Sequence, residues 1–208
     1  MPVLRATFVA TASAVVLWGG VGAMVPAVAV PVSGVGVHVA AAKQDLIAQA
    51  RERAHSAGNR GHAMVEAAKK AGAYREKVAL VQKAADIIDS YAKAADSATD
   101  TETVAEKAQD AANLAAEVAS GYAEAAREYS DSADLAADAR DAAKRAAKAA
   151  ADARDAAKAA ADAAETAADA PDDVDLANAA AKAEDAAVEA FNKAFGAPEV
   201  KKIKKIRK

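Results

Sequence analysis

The 208-residue chain has no cysteine, five prolines, three histidines and very few aromatic side chains: one tryptophan, four tyrosines and three phenylalanines. Without cysteine, no disulfide can reinforce the fold in any compartment, and thiolate nucleophiles and cysteine-ligated metals are excluded. Scarce aromatics limit the depth of any core, because a buried methyl contributes only ~0.8 kcal/mol. Acids are missing from both ends. None precedes Asp45, and none follows Glu199.

What fills the chain is alanine, a third of all residues. Alanine, lysine, glutamate and arginine are among the best helix formers, so the expectation is an all-α protein with a broad, shallow core. The formal net charge of −3 hides a strong asymmetry. Of the 27 bases, Arg5 alone precedes residue 41 and six sit in the last eight residues, which leaves 20 against all 30 acids in between. An acidic body with a basic tail argues against nucleic acid as the partner.

The opening residues, MPVLRATFVATASAVVLWGGVGAMVPAVAV, run from a single basic side chain through an apolar stretch to small residues, with Ala27-Val28-Ala29 as an A-x-A cleavage site. That is the layout of a secretory signal peptide over 1–29, followed by an apolar linker over 30–40. Two alternatives stay open: an uncleaved membrane anchor over residues 6–30, and an organelle-targeting presequence. The expected location is secreted or cell surface.

From Ala41 the pattern is helical. A first helix is expected over 41–56, ended by SAGNRGH, with Gly58 and Gly61 serving as a flexible connection. The next helix, 62–98, carries a seam at Met64, Ala67, Ala71, Tyr74, Val78, Val81, Ala85, Ile88, Ala92 and Ala95 whose steps alternate three and four. Thr103 and Glu106 fit a capping box. A second seam runs from Val104 to Ala167 without a slip, predicting one long spine helix over 103–170, with Ser130-Asp131-Ser132 the one place for a bend. Between Ala136 and Ala167 that seam holds nothing larger than alanine and is open to self-association. Pro171 ends the spine, Asp172 and Asp173 suit the start of a last helix over 172–195, and Gly196 and Pro198 close it. The expected fold is an elongated antiparallel bundle or coiled coil, 41–195, of alanine-rich helices around the spine.

Chemistry-bearing motifs are sparse. His38 goes with the leader. His55 and His62 flank the glycine connection and lack an acid or thiol at metal-ligand spacing. SAGNRG lacks the ending of a phosphate loop, and the solvated carboxylates lack an environment that would split their pKa values. No catalytic, cofactor or metal residue is assigned, and the expectation is a non-enzymatic protein without cofactor. Tyr74, Tyr91, Tyr122 and Tyr129 read as seam packing, with a ligand groove as the alternative. The sharpest local signal is KKIKKIRK, at the end of a basic tail (196–208) expected to be disordered. Lys201, Lys202, Lys204, Lys205, Arg207 and Lys208 there suit an anionic partner, either lipid or polysaccharide.

The literal repeat ADARDAAK, at 137–144 and again at 151–158, and the run ADARDAAKAAADAAETAADA resemble late-embryogenesis-abundant proteins, although those repeat on eleven residues rather than seven and fourteen. The leader, long alanine-rich helices and few aromatics also resemble the alanine-rich helical surface antigens of trypanosomes and similar exported alanine-rich proteins. The second resemblance implies an exported structural or interaction module acting as a surface or spacer. The first implies a stress protein that stabilises membranes or proteins on dehydration.

Overall fold

The computed structural model describes residues 35–70, 75–131, 137–196 and 202–206. The leader expected over 1–29 and its anchor alternative at 6–30 lie outside these residues, as do Tyr74, Ser132, Ala136, Lys201, Arg207 and Lys208. Among the described residues there are five α-helices and no strand: α1 (Val35–Lys70), α2 (Arg75–Ser97), α3 (Thr101–Ser130), α4 (Ala137–Asp169) and α5 (Val174–Phe195). None is long and apolar enough to cross a membrane.

Consecutive helices pack antiparallel. Helix α1 also touches α3 and α5, both running in its own direction. Helices α1, α3, α4 and α5 thus surround one core, and α2 lies in the groove between α1 and α3. Ala50, Ala54 and Ala57 of α1 meet Ile88, Ala92 and Ala95 of α2 and Val104, Ala108, Ala111 and Ala115 of α3. A second cluster joins Met64, the alanines of α3 and α4, and Phe191. The largest fully buried side chains are Phe191, Met64, Ile88, Val65 and Val104. Everything else in the core is mostly methyl groups, which lets helix axes come close.

Four sequence expectations change. Helix α1 begins at Val35, inside the expected linker, and runs straight through SAGNRGH. Gly58 and Gly61 are interior helix residues that make room for α2. A Cβ on Gly58 would stand 2.8 Å from Asp89 Oδ1, and one on Gly61 would stand 3.2 Å from Ile88 Cδ1 and 3.4 Å from the Ala85 backbone. Each glycine costs helix propensity of ~1 kcal/mol, offset here by the close contact it permits.

The helix expected over 62–98 is two helices. Its first part ends α1 at Lys70, and its second is α2 from Arg75, antiparallel to α1. The long spine is also two helices. Helix α3 ends at Ser130, whose hydroxyl donates to the Arg127 carbonyl at 2.8 Å, and α4 returns along it. Ala112, Ala116 and Ala119 thereby meet Ala153, Ala157, Ala161 and Ala164. At the far end the Thr101 hydroxyl donates to Asp172 at 3.0 Å. A straight helix would have left this alanine face in water, whereas the hairpin buries Ala143 and the seam from Ala150 to Ala167, leaving Ala139 and Ala146 exposed near the turn. A three–four alternation records which face is apolar and is blind to a reversal that keeps the phase.

The cap of α3 is Asp100, not Thr103. The Asp100 carboxylate accepts the Thr103 backbone N–H at 2.7 Å, and that bond holds its carboxyl below the usual range. Asp173 caps α5 in the same way, accepting from Asp175 and Leu176, and Gly196 closes it in the left-handed region at φ 62°.

These contacts predict opposite signs for two glycine substitutions. Gly61→Leu should lower stability by about 1–3 kcal/mol through overpacking against α2. Gly121→Ala, with nothing within 4 Å of its new Cβ, should raise it by about 0.5–1 kcal/mol. Urea midpoints of the two variants measure both; equal effects would mean that α1 and α2 do not approach as described.

Candidate peptide-docking groove

On α1, Gln49, Arg53, Ser56 and Arg60 follow one another at steps of four, three and four, and all four are buried. This polar stripe lies towards α5. Arg60 donates twice to Glu184, Nε to Oε1 at 2.9 Å and Nη2 to Oε2 at 2.7 Å, with both side chains almost wholly buried. The Arg60 guanidinium also lies over the Phe191 ring, 5.6 Å from its centre. Phe191 and Tyr122 in turn meet Phe195 edge-on at 5.3 and 5.1 Å.

Arg53 is buried beside this pair without a carboxylate of its own. Among the described residues its Nε and Nη1 have no hydrogen-bond partner. Burial pushes its guanidinium down to about 10, while the nearby Glu184 charge acts in the other direction. A base whose pKa is depressed on folding costs stability at every pH below that depressed value, and the cost fades only as the pH climbs from there towards the unfolded value. One carboxylate therefore serves two guanidinium groups inside the protein.

Beside the stripe, the valley between α1 and α5 holds residues 202–206 as a strap. Ile203 and Ile206 are buried, and Ile206 packs with Leu46 and Ala177. The backbone of the strap is held entirely by side chains. Ile203 N–H donates to Asp185 at 2.9 Å, and Lys204 N–H to Glu52 at 3.3 Å. The Lys204 carbonyl accepts from Gln49 Nε2 at 3.0 Å. Asn178 grips Ile206 at both ends of its peptide, accepting its N–H at 2.9 Å and donating to its carbonyl at 3.0 Å. Gln49 Nε2 also donates to Asn178 Oδ1 at 3.0 Å, tying the two clamps together. An open depression of about 500 Å³ remains beside the strap, where Asp45 and Glu52 face Lys204 and Lys205.

The expected free tail is thus docked over 202–206. Of the cations singled out for a polyanion contact, Lys202, Lys204 and Lys205 are exposed on the outer side of the strap, and Lys201, Arg207 and Lys208 lie outside the described residues. A separate depression of about 450 Å³ between α3 and α4 gathers Arg127, Lys148, Arg154 and Lys158 with Glu124, a mainly basic group not evident from the linear sequence, although Arg154 is paired with Asp155 and Arg127 with Asp131.

The histidines do have acidic neighbours, 41 and 27 residues away: His55 Nε2 stands 3.0 Å from Asp96 and His62 Nε2 stands 2.8 Å from Asp89, both across the α1–α2 contact. Among the described residues no group of three or more His, Asp or Glu is arranged to hold a metal. The three described tyrosines share no groove: Tyr91 lies under Lys107, Tyr122 meets Phe195, and Tyr129 is exposed.

Two substitutions separate the roles of the buried charges. Glu184→Gln, which leaves both arginines without a counter-charge, should cost about 3–5 kcal/mol. Arg53→Met, which removes unpartnered donors while keeping the volume, should add about 1–3 kcal/mol. Denaturant titration near pH 7 reads both, and a loss of stability in the second would show that Arg53 has a partner.

Comparison with family models, with curated proteins and with solved structures returns no match, so the groove stands on its own residues.

Proposed function

We propose that this protein is an exported, non-enzymatic helical module that works by offering surfaces to partners. The observation that carries this reading is the α1–α5 valley, where Gln49, Glu52, Asn178 and Asp185 bind the main chain of a segment that is neither helix nor strand. Side chains that read a backbone are characteristic of peptide recognition, in which main-chain hydrogen bonds give affinity and pockets for alternate side chains give selectivity. The signal-peptide layout of residues 1–29 in the sequence supports export, and the lack of a recognisable catalytic motif there supports a non-enzymatic role. Lys202, Lys204 and Lys205 are exposed on the docked strap, where an anionic surface can reach them.

A second reading, a stress protein that becomes helical on drying, is favoured by α4, whose buried face consists only of alanines. Far-ultraviolet circular dichroism in dilute buffer separates the two. The interaction module should be helical and melt cooperatively. A coil spectrum that turns helical only in alcohol or on dehydration would replace it with the stress reading. Changing Lys202, Lys204 and Lys205 together to Gln should abolish salt-sensitive retention on heparin or anionic vesicles; unchanged retention would remove the strap from that role and point to the α3–α4 cluster.

A further inference from the structure

The strap occupies its valley in a way that specifies what else would fit there. The five main-chain hydrogen bonds to residues 203–206 are made by side chains of α1 and α5 and depend on no particular strap side chain. Selectivity comes from two other features. Ile203 and Ile206 are buried three residues apart, whereas Lys202, Lys204 and Lys205 stay in solvent. The valley presents Asp45, Glu52 and Asp185 along this path, so a basic segment is matched and an acidic one repelled. Nothing here is a covalent continuation of a helix. The bundle has a groove, and the chain's own end is its ligand.

We propose that the α1–α5 valley is a docking site for an extended basic segment of another protein, with two aliphatic side chains three residues apart, and that residues 202–206 are its resident, displaceable occupant. This rests on reading the protein as an interaction module and names the partner class of that module. Tethering makes the resident a strong competitor, because a short linker holds it at roughly millimolar effective concentration. A partner must therefore bind more tightly than the strap or draw the strap away. An anionic surface that pulled the tail's cations off the bundle would leave the valley open.

The test uses the full chain and a fluorescein-labelled synthetic peptide with the sequence of residues 200–208, followed by fluorescence anisotropy. Ile203→Ser/Ile206→Ser in the chain should empty the valley, and this variant should bind the peptide at least about tenfold more tightly than the unmodified chain, as expected when a competitor of that effective concentration is removed. Asn178→Leu added to the emptied chain should abolish the gain. A peptide with serine at both isoleucine positions should not bind. Equal peptide binding by the emptied and unmodified chains would overturn the proposal, as would equal binding of the serine peptide, which would mean attraction by charge alone. Should the loss of Ile206 disturb its packing on Leu46, Ile203→Ser alone gives the same direction with a smaller change. Dimerisation of the unmodified chain that Ile203→Ser removes would assign the valley to a second copy's tail and overturn the assignment to another protein. Circular dichroism of the same samples keeps the two readings apart: a coil defeats the interaction module, whereas a helical bundle that ignores the peptide defeats only the docking site.

Discussion

The Arg60–Glu184 pair is the contact on which the arrangement of this bundle turns. Alanine seams bring helices close but carry little information about register, since one methyl looks like the next and a slide of one heptad costs little. A bidentate guanidinium–carboxylate pair is the opposite: it is directional, short, and expensive to leave unmade once dry. It joins α1 to α5 across 124 residues of sequence and closes the set of helices α1, α3, α4 and α5. Phe191, under the guanidinium, adds the largest buried apolar side chain at the same level. Charge and bulk are concentrated at one contact, while the rest of the interior is small and uniform.

The valley inherits its geometry from that contact. With α1 and α5 fixed in register, Gln49 reaches Asn178 and both reach the strap. The strap gains the burial of two isoleucines, ~1.5–3 kcal/mol each, and five hydrogen bonds of ~0.5–1.5 kcal/mol each, and loses backbone freedom at roughly 1–2 kcal/mol per residue. The surplus is small, so the docked state dominates but yields to a competitor that binds more tightly.

How much of this was readable beforehand depends on the range of the interaction. Helix content follows from alanine itself, and the two ends of α5 follow from Asp173 at its start and Gly196 at its close, whose signals are local. The glycines at 58 and 61 misled because their reason is Asp89 and Ile88 on another helix. Read as a continuous helix, α1 has an unbroken seam at Leu46, Ala50, Arg53, Ala57, Arg60, Met64 and Ala67, in phase with the seam downstream. Two arginines at core positions disguised it, since charged residues are rarely buried without partners and Glu184 is far off in the chain. The hairpin of α3 and α4 stayed hidden because the heptad phase survives the reversal. In the tail, the isoleucines were visible, but a free end and a docked one differ only in acceptors on α1 and α5 that no local pattern connects to it.

Among the described residues, helix α4 packs against α3 and α5 alone, and every side chain it buries is an alanine. Helices α1, α2 and α3 share Ile88 and Val104, α5 is bolted to α1, and Met64 and Phe191 are the large side chains in the cluster that α4's alanines join. Cooperativity is therefore uneven along the chain. Amide protons of α4, which contributes no side chain larger than a methyl to the core, should exchange sooner than those facing Ile88 and Val104, which wait for the whole molecule to unfold. A protein assembled from such similar helices thus has a built-in order of release.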